Sequence, residues 1–209
     1  MEELEKVLQA LRVVERYEEY LFRKIWGRAL IVIGIVFPLG ALISMNAVLV
    51  ANVVGLDAEL ISLLATVMAV VLCCGFIAYS FFESWKTVES KSDEVSKDSM
   101  HGPLIGIAWF LAFTLTGLFP ESLRLVSLLW AASASCLITF VILRAVGSHG
   151  KVRVLFYLGI SLFLVSFPLL LISDIVLLGY LALIAFSVCF IIAGITMNRM
   201  AAQMLQHST

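Results

Sequence analysis

The residues of this chain that could do chemistry in an apolar setting are few, and they recur at regular steps. Ser127, Ala131, Ser135 and Thr139 stand four apart, so on a helix three hydroxyls fall on one stripe. With the amide of Asn46 this stripe is a candidate lining for a small-solute path. Hydroxyls at that spacing also bond to the backbone one turn back, and they let neighbouring helices approach closely. Cys73, Cys74, Cys136 and Cys189 sit at similar distances from the starts of their apolar runs. Soft thiolates at one depth would suit copper(I) or another thiophilic ion. No CxxC pair or neighbouring His accompanies them, and free Cys packs as a small hydrophobe. The sequence therefore predicts no metal site and no cofactor.

His101 and His149 lie in two polar stretches, near Asp98 and Lys151. Were those stretches to meet, a metal or phosphoryl-transfer site could form there; isolated histidines in polar loops are ordinarily just solvated. Met197, Met200, Met204 and His207 make a soft series at helical spacing, which is equally the spacing of a helix packed on lipid or a partner. No HExxH, GxSxG or phosphate-binding glycine loop occurs, so no enzyme is expected. Between the proposed interfaces the runs contain no Asp, Glu, Lys, Arg or His, which argues against a proton-coupled transporter, because such proteins place ionisable groups inside the bundle.

These sparse groups are carried by an unusually apolar chain. Of 209 residues 62% are hydrophobic and 14% charged, against about 25% charged in soluble domains, and the mean hydropathy is +1.06. Lipid is thus the expected partner. A net charge of −1 gives no reason to expect nucleic acid. After Arg28 no ionisable group interrupts the sequence through Val54, a run that as a helix reaches about 39 Å, enough to cross a hydrocarbon core of about 30 Å. The charged stretch ahead of it does not read as a cleavable secretory signal.

The runs predict an all-α, polytopic membrane fold with six transmembrane helices, near 28–54, 59–82, 103–119, 123–143, 154–172 and 175–197. They pair as three hairpins, with a polar tail over 198–209. A kink is expected at Pro38, which lacks an N–H. Residues 1–27 precede the bundle as an amphipathic cytoplasmic helix. Its Leu4, Val7, Leu11, Val14 and Leu21 fall at three- and four-residue steps, with Glu18 as the break. That face could lie on the membrane, pair with a partner or its own copy, or fold back on the bundle.

Orientation follows from charge. Of the 14 Lys and Arg, all but Arg124 fall before the first run, after the second, between the fourth and fifth, or in the tail. By the positive-inside rule those segments and both termini face the cytoplasm. The opposite turns are short and carry Asp57, Glu59, Glu121 and Asp174, residues suited to capping helix N-termini or to ringing a cation vestibule. The sequence thus predicts a non-enzymatic multi-pass protein of the cell membrane, the membrane component of a transport or membrane-associated assembly. An autonomous small-solute channel or transporter is the alternative, and an enzyme with a cytoplasmic-face site at His101 and His149 a distant one.

Overall fold

The computed structural model describes residues 2–89, 101–145 and 153–206. Among them every regular element is helical: α1 (Glu2–Met45), α2 (Ala47–Val54), α3 (Ala58–Glu89), α4 (His101–Leu115) with a 3₁₀ turn over Thr116–Leu118, α5 (Glu121–Ala145), α6 (Arg153–Leu169) and α7 (Ile175–Gln206). Four of these helices hold segments long and apolar enough to cross a membrane, Glu19–Met45, Ala58–Phe76, Leu123–Ala145 and Ile175–Met204; α4 and α6 are shorter apolar helices. Large apolar side chains such as Val53, Leu63, Phe110, Leu171 and Ile192 stand on the outside. An all-round apolar surface of this kind is the mark of a helical membrane protein.

Two features of α1 were not legible as breaks or bends. Its 44 residues form one unbroken helix, about 66 Å long, so the amphipathic N-terminal stretch and the first apolar run are one rod and Gly27–Arg28 interrupts nothing. The helix also continues through Pro38. Proline leaves the carbonyl four residues back without its helical donor, here Gly34, and the Ser187 hydroxyl of α7 donates to that carbonyl. In a bilayer such a freed carbonyl must find another donor, and a neighbouring helix is the usual source. The real interruption comes later, at Asn46, whose φ of −105° and ψ of 22° separate α1 from α2. The Asn46 side-chain amide donates to Leu42 O at 2.8 Å, holding that break in one geometry. Gly55 then ends α2 at φ 75°, a left-handed position that glycine adopts without steric cost.

Helix pairing sets the architecture. α1 packs along α7 and α3, α5 along α6 and α4, and α6 on α7. The α1–α7 pair is antiparallel: Gly27 faces Gly194 and Asn198, Gly34 faces Ser187 to Ile191, and Met45 faces Gly179. A Cβ on Gly194 would meet the Gly27 carbonyl oxygen at 2.6 Å, so only glycine permits so close an approach. α1 and α3 are antiparallel as well, Gly40 lying against Ala65 and Ala69 and the Ser44 and Ser62 hydroxyls bonding at 2.6 Å. Hairpin ends are capped by acids. The Asp57 carboxylate accepts the N–H of Glu59 at 2.8 Å and of Leu60 at 3.3 Å; that of Asp174 accepts Val176 at 2.9 Å and Leu177 at 3.1 Å.

Candidate functional site

The polar groups of the helical interior converge on α5. Ser127, Ala131, Ser135 and Thr139 are all buried there, so the stripe faces neighbouring helices. Its hydroxyls are bonded mostly within the fold: Ser127 to Arg124 O at 2.7 Å and Thr139 to Ser135 O at 2.7 Å. Thr139 also accepts the indole N–H of Trp109 on α4 at 2.9 Å. The Ser135 hydroxyl is wholly buried and without a hydrogen-bond partner. On the adjoining face Ser133 donates to Gly159 O of α6 at 2.7 Å, and Trp130 donates to Ser166 Oγ at 2.8 Å. α4 and α6 are thus each tied to α5 by side-chain hydrogen bonds. Such bonds contribute on the order of 1 kcal/mol each in a membrane bundle.

Asn46, the remaining member of the candidate path, belongs to a different junction. It sits at the α1–α2 break, where Tyr180 of α7 donates its phenolic O–H to the Asn46 amide oxygen at 3.0 Å. The amide is therefore engaged on both sides, towards Leu42 and towards Tyr180. Asn46 and the α5 stripe are not joined by a hydrogen bond in the structure's described residues, and each serves its own helix contact.

Between these two junctions lies an aromatic cluster that bridges α1, α4 and α7. Phe186 and Phe190 stack with centroids 4.3 Å apart; Phe37 lies 5.3 Å from Phe186 and 5.8 Å from Phe113; Trp109 lies 6.0 Å from Phe113 and 6.5 Å from Phe190. Offset and edge-on rings at these separations contribute about 0.5–1.5 kcal/mol per pair beyond their area burial. Phe186 and Phe190 are buried within this cluster. Trp109, Trp130, Tyr180 and Ser187 were not among the residues singled out from sequence. Their signal was a polar-tipped side chain deep within an apolar run, away from the interfacial belts where Trp and Tyr usually collect.

The cysteines divide by environment. Cys73 and Cys136 are buried, Cys189 is half-buried and Cys74 is exposed, and all four are free thiols. Carried through the helix pairings, Cys73, Cys136 and Cys189 come to about the level of Gly34. They are nonetheless on three different helices, and among the described residues no three His, Cys, Asp or Glu stand together as a metal-binding group. His149 and His207 lie outside the described residues, as do Asp98 and Lys151; His101 opens α4.

The face expected to meet a partner helix is divided as well. Leu21 is half-buried, within the part of α1 that runs beside α7. Leu4, Val7, Leu11 and Val14 belong to the described helical backbone of α1, their side chains outside the described set. Nearby, Arg23 bonds Glu19 at 2.5 Å, both side chains largely buried, and Lys24 donates to the Tyr20 hydroxyl at 2.9 Å. Charged residues of α1 are thus turned onto their own helix where it enters the bundle. No family model, curated protein or solved structure matches this chain.

Proposed function

We propose that this chain is a non-enzymatic multi-pass membrane protein that serves as the membrane component of a transport or membrane-associated assembly. One observation supports the reading: the polar contacts between helices, Trp109 with Thr139, Trp130 with Ser166, Ser133 with Gly159, Ser187 with Gly34 and Tyr180 with Asn46, join one helix to another, and aromatic rings pack where α1, α4 and α7 meet. What remains for recruitment is the long N-terminal rod and the charged ends of the helices.

Six crossings are part of this proposal. α4 and its 3₁₀ turn together reach about 29 Å, and the 17 residues of α6 about 26 Å, each close to the hydrocarbon thickness. The hydrogen-bonded pairs Trp109–Thr139 and Ser133–Gly159 run both short helices alongside α5, which supports their crossing with it. Taken with the α1–α7 and α1–α3 pairings, these contacts bring Arg28, Arg144, Arg153 and Arg199 to one end, and Asp57, Glu121 and Asp174 to the other. The positive-inside rule supports a cytoplasmic basic end with both termini inside, and the cell membrane is the proposed location.

Purification in mild detergent tests the function directly. The assembly reading expects other protein to copurify with the full chain and to be lost when residues 2–16 are deleted. Solute flux by the isolated chain in liposomes, unchanged by that deletion, would instead establish the autonomous channel or transporter.

A further inference from the structure

The α1 rod outruns the helices that flank it. Extended at the spacing of their observed contacts, the α1–α7 and α1–α3 pairings bring Gln206 and Glu89, the last residues of α7 and α3, both to about the level of Glu18. Some 16 residues of α1, about 24 Å, therefore project beyond the bundle as a stalk. This stalk is continuous with a membrane helix, so its helical nucleus is already formed and the usual penalty on a short isolated helix does not apply.

From the assembly reading above we infer the partner of this stalk: further copies of the same chain, gathered into a parallel bundle of three or four stalks. The sequence of the stalk is a two-heptad repeat with Leu4 and Leu11 at a and Val7 and Val14 at d. Leucine at a with a β-branched residue at d favours three or four strands over two. Leu8 at e and Ala10 at g widen the apolar face, as a bundle larger than a dimer requires. Copies in one membrane share an orientation, so their stalks meet parallel and in register. In that arrangement g meets e of the next heptad, pairing Glu3 with Leu8 and Ala10 with Glu15, so no like charges face each other. Glu5, Lys6, Arg12 and Arg16 fall at b, c and f, away from the seam. The first charged a position is Glu18, at the level where α3 and α7 begin to surround α1 and identical helices must separate. The two intervening polar stretches offer little alternative cover: 90–100 contributes Val95 and Met100, and 146–152 contributes Val146 and Val152. Confinement to one bilayer supplies the effective concentration that two heptads would lack in free solution.

The test uses the full chain in lipid nanodiscs, weighed by native mass spectrometry. Wild type should give three or four chains per particle. Leu4→Ile, Val7→Leu, Leu11→Ile and Val14→Leu together, which exchange the a and d preferences without removing apolar volume, should reset the number to two. In a chain whose native cysteines are replaced by Ala, Leu11→Cys should crosslink between copies under a mild oxidant while Gln9→Cys, at f, should not. A single chain per particle in wild type, an unchanged number in the exchanged variant, or equal crosslinking at both positions overturns the inference. If the stalk proves monomeric yet still captures a soluble protein, self-association falls and the assembly reading stands; if its deletion alters neither, both fall.

Discussion

Replacing Ser187 with Ala removes the donor that the Gly34 carbonyl receives in place of the one Pro38 lacks. The carbonyl lies at the α1–α7 contact, where Ser187 is only half exposed and water cannot easily substitute. An interior carbonyl left without a donor costs about 1–3 kcal/mol, while interhelical hydrogen bonds measured in a membrane bundle average about 0.6 kcal/mol and reach about 1.7. A loss of about 1–2 kcal/mol is therefore expected, or roughly 2–8 °C in Tm for a chain of this size. The decisive comparison is a double-mutant cycle. Pro38→Ala restores an N–H that can close the helical bond to Gly34, so Ser187→Ala in that background should be nearly neutral. The coupling between the two sites should be about 1 kcal/mol, a size that such cycles resolve. Thermal unfolding in detergent, followed by loss of the monodisperse gel-filtration peak, measures all four proteins. Strict additivity would refute the view that Ser187 is the replacement donor.

The remaining expectations follow from close contacts and caps. Gly194→Ala presses a methyl onto the Gly27 carbonyl and Ile31 and should destabilise by about 1–3 kcal/mol; Gly75→Ala and Gly106→Ala, which meet nothing within 4 Å, should be neutral or stabilising by up to about 1 kcal/mol, all read from the same Tm assay. Trp109→Phe keeps the ring contacts but removes the donor to Thr139, so it should cost about 1 kcal/mol and be non-additive with Thr139→Val. Asp174→Ala removes the acceptor of two N–H groups at the start of α7 and should lower stability by about 1 kcal/mol, as loss of an N-cap does, whereas Asp174→Ser should recover most of it.

Much of the architecture is visible in local sequence because the bilayer imposes it. Apolar runs of spanning length, short turns bearing Asp57 and Asp174, and a stripe at four-residue steps are all properties of residues near one another. The structure buries the stripe, and of its hydroxyls Thr139 accepts the indole N–H of Trp109 on α4. What escaped the sequence depends on residues far apart in it. At Pro38 the helix continues without a break, its orphaned carbonyl taken by a serine about 150 residues later. At the interruption, Asn46 likewise meets a residue far along the chain, Tyr180. The rod-like union of residues 2–45 was hidden by a composition change at Gly27 and Arg28, which reads as a boundary although neither residue breaks the helix; α7 gathers close against Gly27 instead. The central cluster of Phe37, Trp109, Phe113, Phe186 and Phe190 draws on three separate helices, and no periodicity within one helix announces it.

The number of membrane crossings and the side that each end faces can be read directly by cysteine labelling. In a chain whose native cysteines are replaced by Ala, single cysteines at positions 57, 121 and 174 should react with a membrane-impermeant maleimide on intact cells. Cysteines at positions 6, 86, 153 and 199 should react only after permeabilisation. Reaction of position 121 from the same side as 86 or 153, or of position 199 from outside, would contradict the six-crossing arrangement with its basic end in the cytoplasm.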